Sequence, residues 1–310
     1  MPVFAAAVRR FSAERAPKSK KTPKESRSRR AAPPAEGSGI KAMQTREGVS
    51  ARRVVVKVGS STLTYPTGKL NLRRIGALTT ALADLKNSGA DVVLVTSGAV
   101  AAGMAKLGVT ERPADIRSRQ AVAAVGQCAL MHIYDKMLSE YGHSVGQILL
   151  TKDVIDNEAH RAHAANTFER LLELGVIPVV NENDSISTYE LETLTTFGDN
   201  DRLSAYVAIL CGADLVVNLS DIDGLYDGDP RRCPGAKRIP VVHRIDEALL
   251  ALAGGAGAQG TGGMRSKLMA AELLLEKGID MVIANGQHPE QIAEICSGVP
   301  HGTLFTAREA

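Results

Sequence analysis

The chain has 310 residues, of which 44% are apolar and 23% are charged, and its formal net charge is +3. A domain of this size buries roughly 70–75% of its unfolded surface, so this composition is typical of a globular protein with a sizeable core. No uninterrupted apolar run reaches the roughly 18 residues of a membrane-spanning helix, and we therefore expect no membrane association.

The charge is divided unevenly along the chain. Residues 1–53 hold 14 of the 37 Lys and Arg residues and 4 of the 34 Asp and Glu residues, a net +10. The same totals leave −7 for residues 54–310. A basic tail therefore precedes an acidic body, which predicts that the body has no specific affinity for nucleic acid.

Residues 1–52 are predicted to be a disordered basic tail. Residues 15–38 contain Pro, Ser, Lys and Arg but no Val, Leu or Ile, so they cannot bury enough apolar surface to offset ordering. Three other hypotheses stay open: an organellar transit peptide, non-specific contact with nucleic acid, and a start of translation at Met43. Glu14 and Glu25 count against the transit peptide.

Residues 53–310 are predicted to form one α/β domain. Short β-branched runs without polar alternation indicate strands buried on both faces, and longer segments between them have helical spacing. Together they predict a three-layer α/β/α sandwich around a largely parallel sheet. The predicted strands are Val54–Val58, Val92–Val95, Val145–Leu150, Val176–Val180, Leu215–Leu219 and Met281–Ala284. The predicted helices are Leu72–Lys86, Arg117–Tyr141, Ala159–Leu174, Arg202–Leu210 and Met264–Lys277, with a further small-residue helix around Gly103.

Ligands of open α/β sheets bind at the carboxyl ends of the strands, and here those ends carry features of an anion site. Lys57 lies inside an apolar strand just before a Gly-Ser turn, where a buried ammonium group needs an anion. Ser97 and Gly98 follow the next strand, and glycine permits close approach to a ligand.

The segment 260–267, Gly-Thr-Gly-Gly-Met-Arg-Ser-Lys, is the strongest of these features. It runs directly into an amphipathic helix, and we place Lys267 in the first turn, where a cation opposes the helix dipole unless a phosphate is bound. Neither a Walker loop nor a G-x-G-x-x-G motif occurs in the chain, which excludes the P-loop and Rossmann interpretations.

Acidic side chains also cluster in residues 181–184 and 220–230, which follow predicted strands, and in residues 198–201, which open a predicted helix. Turn and helix-cap chemistry is one interpretation of these residues. The other is that carboxylates opposite the lysines hold Mg²⁺ or a substrate amine.

Histidine and cysteine residues suggest neither a metal site nor a nucleophile. His160 and His163 share a helix face without a third ligand and are interpreted as surface or packing residues. Cys128, Cys211, Cys233 and Cys296 are scattered and are interpreted as reduced core thiols of a cytoplasmic protein.

Seven segments of the body stand out in chain order. They are VVVKVGSSTLT (54–64), VTSGAVAAG (95–103), PVVNENDSIS (178–187), FGDNDRLSA (197–205), LSDIDGLYDGDPR (219–231), GTGGMRSK (260–267) and VIANG (282–286). Together they resemble the amino-acid kinase family and, within it, the glutamate 5-kinases, over roughly residues 53–306. The combination of GDND with TGGM-x-[ST]-K distinguishes that branch from the acetylglutamate, aspartate and carbamate kinases.

The resemblance implies ATP-dependent phosphorylation of the γ-carboxylate of L-glutamate, with Mg²⁺ bridging the phosphates. It assigns catalysis to Lys57, Lys267 and Asp201, the last orienting the two lysines. Glutamate is expected at Ser97, Asp184 and Asn200. ATP is expected at Lys57, Ser220, Asp221, Thr261, Gly262, Gly263, Met264, Arg265, Ser266 and Lys267. No protein side chain is assigned as a metal ligand.

Other expectations follow from the same resemblance. Family members are commonly homo-oligomeric and inhibited by proline. Many bacterial glutamate 5-kinases continue into a C-terminal PUA domain, so a short form without it is expected here. Two alternatives remain: another amino-acid kinase acting on acetylglutamate or aspartate, and a non-catalytic nucleotide sensor.

Overall fold

The computed structural model describes residues 52–186, 200–231, 233–253 and 262–308. The predicted disordered tail lies outside these residues except for Arg52. Among the helices of the described ranges, none combines the length and the apolar character that crossing a membrane requires.

The β-branched runs form the strands of one eight-stranded sheet with the order β3-β4-β2-β1-β5-β7-β8-β6. Strand pairs are parallel, apart from the antiparallel pair β7–β8. The strands are β1 (Arg53–Val58), β2 (Asp91–Val95), β3 (Val145–Leu150), β4 (Ile177–Glu182), β5 (Leu215–Ser220), β6 (Val241–Val242), β7 (Asp280–Asn285) and β8 (Thr303–Phe305). All six predicted strands are present, while the short β6 and β8 were not predicted.

Ten helices lie within the described residues. They are α1 (Ser60–Leu63), α2 (Leu72–Asn87), α3 (Ala99–Leu107), α4 (Ile116–Ser139), α5 (Lys152–Asp156), α6 (Glu158–Glu173), α7 (Asn200–Cys211), α8 (Glu247–Ala253), α9 (Gly262–Leu275) and α10 (Gln291–Cys296). The predicted helices correspond to α2, α3, α4, α6, α7 and α9. The four others have four to seven residues, too few for a helical period to be visible in the sequence.

Successive residues of the central strands enter two different apolar clusters, one on each face of the sheet. In β1, Val54 and Val56 pack into a cluster with α2 and α4, whereas Val55 packs into a second cluster with α6, α7 and α9. Since side chains alternate along a strand, apolar residues at every position bury both faces. The predicted three-layer α/β/α sandwich is confirmed.

Two glycines bring α3 and α4 into backbone contact. A Cβ atom on Gly126 would lie 1.7 Å from the carbonyl oxygen of Ala99, and one on Gly103 would lie 1.9 Å from that of Val122. Only glycine allows helices to approach this closely. The contact sets the position of α3. The N-cap of this helix is Gly98, whose φ of 97° lies in the left-handed region.

The cysteine prediction is correct in part. All four cysteines are free thiols, and Cys211 and Cys296 are buried, which raises the pKa of each to about 12. Cys128 and Cys233 are exposed, so the prediction that they are core residues is wrong. Cys128 lies on the outward part of α4, a helix with only one buried face.

Two glycine-to-alanine variants test the helix contact. Gly126→Ala should lower the free energy of unfolding by about 2 kcal/mol or more, because the helices must separate to admit a methyl group. Gly76→Ala is the matched control, since a Cβ atom there meets nothing within 4 Å in the middle of α2. It should stabilise the protein by roughly 0.5–1 kcal/mol. Urea unfolding of both variants measures the difference, and equal effects would contradict this account.

Candidate active site

Asp201 lies between two buried lysines at the carboxyl edge of the sheet. Lys57 Nζ donates to Asp201 Oδ1, and Lys267 Nζ donates to Asp201 Oδ2 at 2.8 Å. The exposed fractions are 0% for Asp201, 4% for Lys57 and 8% for Lys267. The three residues predicted to be catalytic are therefore in direct contact.

Strand register and helix packing explain why Lys57, Asp201 and Lys267 are in contact. Lys57 of β1 pairs with Asn218 of β5, so both side chains face the layer of α7 and α9. Asp201 is in the first turn of α7, where it also accepts a hydrogen bond of 2.6 Å from Asn218 Nδ2. Side chains from β1, β5, α7 and α9 thus converge on one carboxylate.

The lysines determine the protonation state of Asp201. Burial by itself raises the pKa of a carboxyl group, but the ammonium groups of Lys57 and then Lys267 outweigh it. The pKa of Asp201 therefore lies well below its ordinary value, and the carboxylate stays charged. One negative charge between two positive ones leaves this trio with a net charge of +1, which suits an anionic ligand.

The predicted position of Lys267 needs a correction. Within the described residues α9 begins at Gly262, two residues earlier than predicted, so Lys267 is in the second turn. The helix dipole acts mainly within the first turn, so it opposes a cation at this position only weakly. The contact with Asp201 accounts for the buried charge without a bound phosphate.

The other predicted nucleotide residues of α9 differ in exposure. Gly263 lines the cavity, Met264 packs against the apolar cluster, and Arg265 is exposed. Ser266 Oγ is buried and has no hydrogen-bond partner among the residues that the structure describes. Thr261 lies outside the described residues.

A cavity of about 960 Å³ joins the two predicted ligand sites. Its wall contains residues predicted for ATP and residues predicted for glutamate, which the fold brings to the same edge of the sheet. They are Lys57, Ser220, Asp221, Gly263 and Lys267 on one side, and Ser97, Asp184 and Asn200 on the other.

At the end of the cavity predicted for glutamate, the carboxyl group of Asp184 has an altered pKa. Burial, followed by the charge of Glu182, raises the pKa of Asp184 to about 6, and Arg112 acts in the opposite direction. Asn200 Nδ2 donates to Ser97 Oγ at 2.6 Å, so two of the three predicted residues touch each other. A carboxyl group with a raised pKa in a cavity is well suited to pair with a substrate cation.

The acidic segment after β5 is mostly engaged in contacts within its own loop. Asp223 accepts a 2.8 Å hydrogen bond from Tyr226 and lies 3.4 Å from Arg238, while Asp227 Oδ1 accepts from the Lys237 backbone at 2.7 Å. For these two residues turn chemistry, not ligand binding, is the better interpretation.

Asp221 differs from its neighbours, because it lines the cavity. It also forms a 2.9 Å ion pair with Arg231. Burial raises the pKa of Asp221, but the hydrogen bond and charge of Arg231, a backbone hydrogen bond and the Ser220 hydroxyl group together outweigh it, so the net shift is downward.

Several polar residues at the site were not predicted, among them Asn218, Gln127 and Arg112. Asn218 left a signal in the sequence, since it interrupts an apolar strand in the same way as Lys57. Gln127, which contacts Asn181, and Arg112, which lines the cavity, lie in or beside α4 without a distinctive pattern.

The described residues do not form a metal site built from protein side chains. In the described ranges, no three His, Cys, Asp or Glu side chains lie close enough together to hold an ion. His160 and His163 are exposed on α6, as predicted, and His160 lies 3.5 Å from Asp153.

The family model described as the amino acid kinase family matches residues 52–285. The chain belongs to the amino acid kinase family. The predicted resemblance is confirmed, and it extends to the glutamate 5-kinase branch. The glutamate 5-kinase of Clostridium perfringens is 51% identical over 259 residues, covering 83% of this chain and 96% of that protein. That of Clostridium acetobutylicum is 50% identical over 266 residues, covering 85% and 98%.

Solved structures of other amino acid kinase folds resemble this one. The UMP kinase of Bacillus anthracis matches with a TM-score of 0.55 and 17% identity, over 84% of this chain and 97% of that one. The T. acidophilum isopentenyl phosphate kinase product complex also matches with a TM-score of 0.55, at 18% identity, over 82% and 99%. At these identities the likeness supports the fold alone.

Replacing Asp201 tests its role between the lysines. Asp201→Asn should lower the free energy of unfolding by about 3 kcal/mol, because two buried ammonium groups lose their counter-charge. Since the native pKa of Asp201 is depressed, its stabilisation is fully present above its ordinary pKa near 4 and is lost only as pH falls below that.

Urea unfolding at pH 8, 6 and 5 should therefore give the same difference between wild type and Asp201→Asn. The control is Asp135→Asn on the exposed side of α4, with an expected change below about 0.5 kcal/mol. A difference for Asp201→Asn that is equally small, or that shrinks already between pH 8 and 6, would contradict the assignment.

Proposed function

We propose that this chain transfers the γ-phosphoryl group of ATP to the γ-carboxylate of L-glutamate, giving L-glutamyl 5-phosphate and ADP, the first step of proline biosynthesis. The observation that carries the proposal is that one cavity is lined by Lys57 and Lys267, which Asp201 joins from behind the wall, and by Ser97, Asp184 and Asn200. The sequence identity with glutamate 5-kinases over nearly their whole length supports it.

The chemistry of the acceptor explains the residues at the site. A glutamate side chain has an ordinary pKa near 4.3 and is already ionised at neutral pH, so it needs no general base. The difficulty lies in bringing this anion to the negatively charged phosphates of ATP. Phosphoryl transfer therefore depends on positioning and charge neutralisation, which the two lysines supply.

The ATP end of the cavity fits a polyphosphate. Lys57 and Lys267 provide positive charge, and Gly263 exposes backbone near the start of α9. Ser220 and Asp221 line the same end and are assigned to the nucleotide. Mg²⁺ would arrive on the phosphates and neutralise part of their charge.

The glutamate end fits a free α-amino acid. We assign the α-ammonium group of the substrate to Asp184, whose partly desolvated carboxylate has a raised pKa. N-acetylglutamate lacks this positive charge, so Asp184 favours glutamate over that alternative acceptor. Aspartate keeps the ammonium group but is one methylene shorter.

Release of ADP in a coupled assay with purified protein and Mg-ATP tests the proposal. Glutamate, N-acetylglutamate and aspartate are compared as acceptors, each with and without proline. Turnover should depend on glutamate, and its absence would refute the proposal. Turnover with another acceptor alone would identify a different amino-acid kinase, and none with any acceptor would favour a nucleotide sensor.

Removing Lys267 should abolish turnover while leaving the fold intact, because Asp201 keeps Lys57 as its partner. The measurement is the coupled assay on Lys267→Ala, together with circular dichroism. Lys277→Ala, an exposed lysine just beyond α9, is the control and should keep wild-type turnover. Near-normal turnover of Lys267→Ala would refute the role of this lysine.

The raised pKa of Asp184 predicts a pH dependence. Below about pH 6 the free protein carries a protonated Asp184, which cannot pair with the ammonium group, so kcat/KM for glutamate should fall about tenfold per pH unit. Asp184→Asn is neutral at every pH and should have a KM roughly 10- to 100-fold higher at pH 7.5. Its pH profile should be flat where the wild-type profile falls. Parallel profiles between pH 5 and 7.5 would contradict the assignment.

Further properties implied by the resemblance remain predictions. They are a homo-oligomeric assembly, feedback inhibition by proline and a cytoplasmic location. Light scattering of the full chain and the proline arm of the acceptor assay test the first two.

A further inference from the structure

A chain of side-chain amides leads from the interior of α4 to the glutamate end of the cavity. Gln127 Oε1 accepts a 2.8 Å hydrogen bond from Asn181 Nδ2. Asn200 Nδ2 lies 3.3 Å from Asn181 Oδ1 and donates to Ser97 Oγ at 2.6 Å. Gln127 and Asn181 are buried, with exposed fractions of 7% and 3%.

Backbone groups act together with Gln127 in setting which way the two asparagines are turned. The N–H of Glu182 donates to Asn181 Oδ1 at 3.0 Å, so the Asn181 nitrogen is the atom that meets Gln127. The carbonyl oxygen of Thr96 accepts from Asn200 Nδ2 at 2.6 Å. Rotating either side-chain amide by 180° would place donor against donor or acceptor against acceptor, and these hydrogen bonds would be lost.

This orientation decides what the cavity wall offers to a ligand. Because the Asn200 nitrogen is engaged, its oxygen is left as an acceptor. Ser97 Oγ accepts from Asn200, so its own proton is left to be donated. An acceptor beside a donor matches the ammonium and carboxylate groups of an amino acid.

The position of Gln127 is determined by its neighbour in the sequence. Gly126 lies directly against Ala99 in the first turn of α3, and Ser97 comes just before that helix. The backbone contact therefore fixes the Gln127 side chain relative to Ser97. A displaced α4 would carry Gln127 away from Asn181.

Stability alone does not explain Gln127. Its Oε1 is bonded, but its Nε2 is buried without a hydrogen-bond partner among the described residues. An unsatisfied buried donor costs about 1–3 kcal/mol, so the bond to Asn181 comes with an unfavourable contribution from the same amide. A glutamine is useful here for the one acceptor that it presents to Asn181.

We propose that Gln127 is a positioning residue for the amino-acid substrate. It holds Asn181 in one orientation, and Asn181 in turn holds Asn200 and the Ser97 hydroxyl group in the arrangement that receives glutamate. The inference rests on the proposed function, because it concerns the binding of that substrate at that site.

Steady-state kinetics of Gln127→Met test this role, because methionine keeps the shape but removes the acceptor. The KM for glutamate should rise about tenfold or more, while the KM for ATP stays within about twofold. Gln127→Glu retains an oxygen facing Asn181 in either protonation state, so it should bring the KM for glutamate back to within about threefold of wild type.

Thr79→Val is the matched control for losing a buried hydrogen bond elsewhere. The Thr79 hydroxyl group is buried in α2 and donates to the Gly76 carbonyl at 2.9 Å. This variant should leave both KM values unchanged. An equal rise in the KM for glutamate in Thr79→Val would overturn the positioning role, because the effect would then be general.

Three further outcomes would also overturn the inference. They are a glutamate KM within twofold of wild type in Gln127→Met, a parallel rise in both KM values, and no recovery in Gln127→Glu. In each of these the wild type turns over glutamate, so the proposed function stands. A wild type without glutamate-dependent turnover refutes the proposed function and this inference together.

Discussion

The carboxylate of Asp201 is the interaction on which the site depends. Two ammonium groups cannot be buried side by side unless a negative charge lies between them, because their repulsion and desolvation are both unfavourable. Asp201 supplies that charge from the first turn of α7, to a lysine of β1 and a lysine of α9. The ion pairs that join β1, α7 and α9 therefore also place two cations at the cavity.

Much of this arrangement could be predicted from the sequence. The strands were visible because parallel strands buried on both faces are continuously apolar, and Lys57 was visible because it breaks such a run. Asn218 breaks its strand in the same way, but an uncharged side chain was not recognised as a signal. The six residues predicted for catalysis and glutamate binding lie together at one edge of the sheet, and they are Lys57, Ser97, Asp184, Asn200, Asp201 and Lys267.

The rest depends on contacts that local sequence does not encode. Whether Asp223 binds a ligand or closes a turn depends on Arg238, fifteen residues away, and the sequence does not show that they meet. Gln127 looks like any polar residue of a long helix, and its partner Asn181 is 54 residues further along. The short elements β6, β8 and α10 are held by packing and have no period of their own.

The glycine contact between α3 and α4 has a mechanical consequence. With two backbones touching, no side chain lies between them that could change rotamer, so one helix cannot slide on the other. The cavity wall that begins at Ser97 is therefore rigid and keeps its position when a ligand binds beside it. A rigid wall does not move inward around a shorter acceptor. The carboxylate of such an acceptor therefore does not reach the phosphate.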